Sequence, residues 1–137
     1  MIIEKSCGAI VFTKDNDDIR YVIIESKEGF LGFPKGHVES NETELQTAQR
    51  EVFEETGLNV KFLENFQTED SYLFNRNNET RIKKIVYFLA EYSNQTPLPQ
   101  ETELNNIYLM DYETALSSFQ FDNLKRILTE AHNYLLN

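Results

Sequence analysis

Two spacings of apolar residues alternate along this chain. β-Branched and aromatic residues crowd Ser6 to Phe12 and Tyr21 to Ile24, on either side of the polar Asp15-Asn16-Asp17-Asp18, which predicts a hairpin. The clearest strand in the second half is Arg81 to Tyr92, with Ile85, Tyr87 and Leu89 facing one way and Val86, Phe88 and Ala90 the other; it should be buried on both faces. Asn59 to Phe66 and Thr68 to Phe74 read as extended, Asn75 to Thr80 as a polar loop, Ser93 to Gln100 as a loop with Pro97 and Pro99, and Asn106 to Met110 as a short strand. Asp111 can cap a short helix through Ser117. Asp122 can cap a final one with Leu124, Ile127, Leu128, Ala131 and Leu135 on its apolar face.

Between the two halves the period changes to that of a helix. Asn41 with Glu44 reads as a capping box and Gly57 as a stop, so the helix should run from about Glu42 to Thr56. At roughly 100° per residue, Leu45, Ala48 and Val52 share an apolar stripe. Glu51, Glu54 and Glu55 fill the adjacent arc. Like charges three or four residues apart cost a few tenths of a kcal/mol per pair in an isolated helix, and only Arg50, one turn before Glu54, offsets this locally. Glutamates on a helix are ordinarily a solvated face. Here a hard, oxygen-seeking cation such as Mg²⁺ or Mn²⁺ would turn the repulsion into binding.

The 137 residues suit one domain spanning 1–137, long enough to bury its own core. A net charge of −10, from 23 acids and 13 bases, argues against adhesion to nucleic acid or an anionic membrane. Cys7 is the single cysteine and lies in a strand pattern, which excludes an intrachain disulfide and suggests a buried thiol. No apolar run reaches about 18 residues and the start lacks a signal-peptide core, so a cytoplasmic protein is expected, as a monomer or weak dimer. Asp15 to Asp18 lacks the glycine and closing glutamate of a calcium loop and reads as a turn.

The run Gly36, five residues, Glu42, seven residues, then Arg50-Glu51-Val52-Phe53-Glu54-Glu55-Thr56-Gly57-Leu58 resembles the Nudix box at every defining position. The resemblance implies an α/β Nudix fold, a mixed β-sheet sandwiched between α-helices. It further implies metal-dependent hydrolysis of a nucleoside diphosphate linked to another group. Carried over by position, Glu51, Glu54 and Glu55 would bind Mg²⁺ or Mn²⁺ together with Gly36, Arg50 would orient the acids, and Glu42 would support the loop. From its residues, Lys27 to Lys35, with Gly29, Gly32 and Pro34, reads as a glycine-bearing loop that delivers the chain to the box.

Around the box the chain is similar to the asymmetrical diadenosine tetraphosphate hydrolases, in the segments Phe33-Pro34-Lys35-Gly36-His37-Val38-Glu39 and Lys83-Lys84-Ile85-Val86-Tyr87. Lys35 offers a point charge to a phosphate, and His37 can donate a hydrogen bond or a proton near neutral pH. By the same likeness Lys83 would reach a bridging phosphate, Tyr87 would stack on a base with Phe121 opposite, and Glu103, with Glu101 as fallback, would complete the metal site or take a proton from water. Leu31 and Phe33 stand where that group often has tryptophan and proline.

The expected partner is thus a dinucleoside polyphosphate. The alternatives are a nucleoside triphosphate or RNA 5′-end pyrophosphohydrolase, disfavoured by Lys35-Gly36-His37 and by the acidic charge respectively, and a nucleotide-sensing module that does not cleave.

Overall fold

A computed structural model describes residues 2–100 and 104–137 of the chain. Its spine is β1 (Ile2–Asp15), which turns at Asn16, held in the left-handed region at φ 59°, into β2 (Asp18–Ser26). The expected loop before the box contains two short strands, β3 (Leu31–Gly32) against β2 and β4 (Lys35–His37) against β1. After helix α1 (Glu44–Thr56) come β5 (Lys61–Phe62), β6 (Thr68–Arg76), β7 (Glu79–Glu91) and β8 (Leu104–Met110). Helices α2 (Tyr112–Ser118) and α3 (Asp122–Leu136) close the described chain.

β7 runs parallel to β1, from Ile2 opposite Arg81 to Phe12 opposite Glu91, and every other strand pair is antiparallel. The sheet is therefore mixed, and alternation gives each of its faces a separate core. On one face Ile10, Phe12, Ile85, Tyr87 and Leu89 pack with Ile127, Leu128 and Ala131 of α3. On the other, Cys7, Ala9, Val11, Val86 and Ala90 pack with Ala48 and Val52 of α1. This is the expected α/β/α sandwich. None of its helices is long and apolar enough to cross a membrane.

Several local expectations are corrected. The cap of α1 is Thr43, whose hydroxyl accepts from Gln46 N while the Gln46 side chain accepts from Thr43 N. Asn41 instead sits at φ 74° in the turn before it, because Glu42 is drawn out of the helix by its own side-chain bonds. Leu45 is 44% exposed, and Thr47 takes the buried place beside Ala48. Of Asn59 to Phe66 only Lys61–Phe62 joins the sheet. The tract from Asn75 to Thr80 is no loop: Asn77 and Asn78, both at positive φ, make a two-residue turn, and Arg76 pairs with Glu79. The cap position of α3 is Phe121, which makes no side-chain cap bond, and Asp122 lies in the first turn instead of capping it. Asp111 does cap α2, accepting from Thr114 N at 2.8 Å.

Candidate functional site

Arg50 is where the acids of the box converge. Its Nε and Nη2 donate to the two oxygens of Glu42 at 2.7 and 3.0 Å, its Nη1 to Glu51 at 2.8 Å and to Glu54 at 3.1 Å, and its Nη2 also to the His37 carbonyl at 2.9 Å. One guanidinium thus ties the turn before α1, the face of α1 and the end of β4 together, a use of its planar fork that lysine could not reproduce. Glu42 also accepts from Glu39 N and the Thr47 hydroxyl, and this array, led by Arg50, pulls its carboxyl down to about 2. Glu51 moves the other way. Burial raises it, with Arg50 opposing, so negative charge there is only partly compensated.

The three box acids occupy different surroundings. Glu54 is on the surface, Glu51 has a side chain 13% exposed, and Glu55 is buried, accepting from Lys35 N at 2.8 Å. The backbone of Gly36 lies directly on the Glu51 carboxylate, where a Cβ would overlap it. That is the close approach for which only glycine leaves room. Among the described residues no three carboxylate, imidazole or thiolate groups are gathered as a ready ligand set. The reason is visible in the bonds: Arg50 holds Glu51 and Glu54, and β4 holds Glu55. The donors still suit a hard divalent cation, being all oxygen, adjacent on one helix and short of positive charge at Glu51. Glu103 and Glu101 lie outside the described residues.

Beside this helix a cavity of about 1030 Å³ opens, lined by both Lys35 and Glu55. Its walls include Phe30, Tyr72 and Phe121, each about half exposed, and the Phe30 and Phe121 rings lie 5.3 Å apart at 46°. Phe121 is thus placed where a ring could meet a base. Tyr87 is not: it is 1% exposed, with the edge of Phe33 against it at 5.7 Å, and it serves as core at the cavity floor. The half-exposed ring on that side is Tyr72, one strand over, tilted against Phe74 at 6.4 Å. Its signal was in the sequence, since alternation in Thr68 to Phe74 puts Asp70, Tyr72 and Phe74 on one face.

Lys83 and His37 meet at 3.4 Å, Lys83 nearly buried and His37 exposed at the end of β4. Burial and the neighbouring Lys35 both lower Lys83, and burial and Lys83 both lower His37, so each favours its neutral form more than in water. Glu4, which also pairs with Arg76 and Arg81, opposes both shifts without cancelling them. Leu31 and Phe33, the departures noted above, both line the same cavity.

The NUDIX domain family matches residues 4–131. The chain is 32% identical over 145 aligned positions to the asymmetrical bis(5′-nucleosyl)-tetraphosphatase of Rattus norvegicus, covering 96% of this chain and 95% of that one. It is 29% identical to an RNA pyrophosphohydrolase of Helicobacter pylori, over 88% of this chain and 78% of that one. Its fold matches a C. elegans Ap4A hydrolase in a binary complex with a TM-score of 0.83 at 20% identity, covering 97% and 98% of the two chains. With the box geometry, the sandwich and a family match across nearly its whole length, the chain belongs to the Nudix hydrolases.

Proposed function

We propose that this hydrolase cleaves dinucleoside polyphosphates, diadenosine tetraphosphate to ATP and AMP in particular, by attack of water on phosphorus with Mg²⁺ or Mn²⁺ as cofactor. The observation that carries the reading is the continuity of the site: Glu55 of α1, Lys35, whose N–H it accepts, and a half-exposed aromatic wall line one cavity. A chain with a base at one end and several phosphates along its length needs those parts in that order. The near end-to-end likeness to a tetraphosphatase supports the same substrate.

In this mechanism Glu51, Glu54 and Glu55 would hold the cation, with Gly36 leaving the space that Glu51 requires. The ion, when bound, lowers the pKa of a water and offsets charge on the phosphates. Arg50 and Glu42 fix the acids, so that little reorganisation remains at the moment of reaction. Lys35, Lys83 and His37 take the phosphate chain, whose negative charge favours the protonated forms of Lys83 and His37 that burial disfavours. Phe121 and Tyr72 take a base, each stacked base contributing about 1 to 3 kcal/mol. Glu103 is the proposed acceptor of the water's proton.

A panel of nucleotides compared by kcat/KM tests this: the dinucleoside tetraphosphate should exceed nucleoside triphosphates and 5′-triphosphate RNA by at least tenfold, and the reverse order would refute it. Glu55→Gln separates hydrolysis from sensing, since an enzyme loses most of its rate while still binding nucleotide.

A further inference from the structure

At the aromatic end of the cavity stand two polar side chains that the reaction above does not use. Asp70 on β6 is 8% exposed, and its Oδ1 accepts from Asn123 Nδ2 on α3 at 2.7 Å. Both line the cavity with Tyr72, Phe121 and Leu124. Among the described residues no cation pairs with Asp70, and its Oδ2 and the Asn123 Oδ1 take no hydrogen bond. Among the described residues Ser6 Oγ is the one buried side-chain polar atom left without a partner, so the second Asp70 oxygen is not sealed in the core. Here one oxygen is left toward a cavity whose other walls are mostly rings and aliphatic groups.

We propose that Asp70 and Asn123 read the edge of the bound base and select adenine; this rests on the dinucleotide reading above. Stacking fixes the plane of a base but not its identity, because every base has a π-face. Identity must come from edge hydrogen bonds. Asp70 can only accept, and Asn123 Nδ2 has a second N–H to give. Adenine presents that complement: its 6-amino group donates to Asp70 Oδ2, and the adjacent ring nitrogen accepts from Asn123. Hypoxanthine has the same size and stacking face but carries a carbonyl at position 6, which in the same pose would confront the carboxylate. A site built to pair a polar group rejects the analogue that leaves it unpaired.

Two measurements on the full chain test this. Calorimetric binding of ATP and ITP should favour ATP by at least tenfold, and Asp70→Asn, which keeps an acceptor for Asn123 while losing the charge, should bring the ratio to within about threefold of one. In turnover of diadenosine against diinosine tetraphosphate with Mg²⁺, the same variant should lose the preference through KM while kcat for the adenine substrate holds within about threefold. Asn123→Ala should cut the preference as well. Equal wild-type binding of ATP and ITP overturns the proposal whether or not any variant folds. So does an unchanged ratio in Asp70→Asn beside a lowered melting temperature, which would make the pair a tether between β6 and α3. If the protein hydrolyses no dinucleotide, the binding ratio still decides this inference, and only the reading of the reaction falls.

Discussion

Replacing Arg50 by alanine leaves Glu42, Glu51 and Glu54 around an empty place, and the consequence can be sized from one of the pairs. The Arg50–Glu51 contact at 2.8 Å joins side chains that are 22% and 13% exposed. Breaking a fully buried ion pair costs about 3 to 5 kcal/mol, and the residual exposure here reduces that to about 2 kcal/mol. Unfolding entropy of ~2.1 cal/mol/K per residue gives about 0.3 kcal/mol/K for a chain this size, so the melting temperature should fall by about 7 °C. The assay is a metal-free thermal melt, run beside Arg50→Lys and the double variant Arg50→Ala/Glu51→Gln. Lysine should fall between, since it keeps charge but loses the fork on Glu42. The double variant should recover about half of the lost stability, because the stranded carboxylate has been removed. A melt of Arg50→Ala within 1 °C of wild type, or no recovery in the double variant, would refute the claim that the Arg50–Glu51 contact stabilises the fold.

Gly36→Ala drives a methyl onto the Glu51 carboxylate, and should lower turnover by about 100-fold, with the ~1 to 3 kcal/mol cost of overpacking visible in urea unfolding. His132 stacks on Tyr112 at 3.9 Å, and its Nδ1 meets the buried Tyr21 hydroxyl at 2.7 Å; burial lowers its pKa while Glu113 opposes. Because the folded value lies below the unfolded one near 6.5, its contribution to stability is present above that pH and lost as pH falls through the folded value. Urea midpoints between pH 7.5 and 5 should therefore decline more steeply in wild type than in His132→Gln. Cys7, raised to about 11 by burial, should resist alkylation at pH 8 until the protein unfolds; rapid labelling of the native chain would contradict its place under α1.

The parts legible in the sequence were those set by local period. Alternation placed Ile85, Tyr87 and Leu89 on one core and Val86 and Ala90 on the other, as found. The parts that were not legible depend on partners far along the chain. Glu42 leaves the helix because Arg50, eight residues later, holds its side chain, which moves the cap from Asn41 to Thr43. The Asn77-Asn78 turn depended on two positive φ values that a polar tract does not announce. Tyr87 was the aromatic suggested by motif position, yet its inward alternation already made it core; Tyr72, opposite Lys83 in the β6–β7 register, is the exposed ring. Asp70 and Asn123 are 53 residues apart and meet only once α3 crosses β6.

The central claim is a cation-assisted cut that divides a dinucleoside tetraphosphate unequally at the face of α1. Anion-exchange chromatography of diadenosine tetraphosphate incubated with the protein, with Mg²⁺ or with a chelator, tests it most directly. The account predicts ATP and AMP in equal amounts with Mg²⁺ and no product under chelation. ADP as the sole product, or undiminished turnover under chelation, would contradict it.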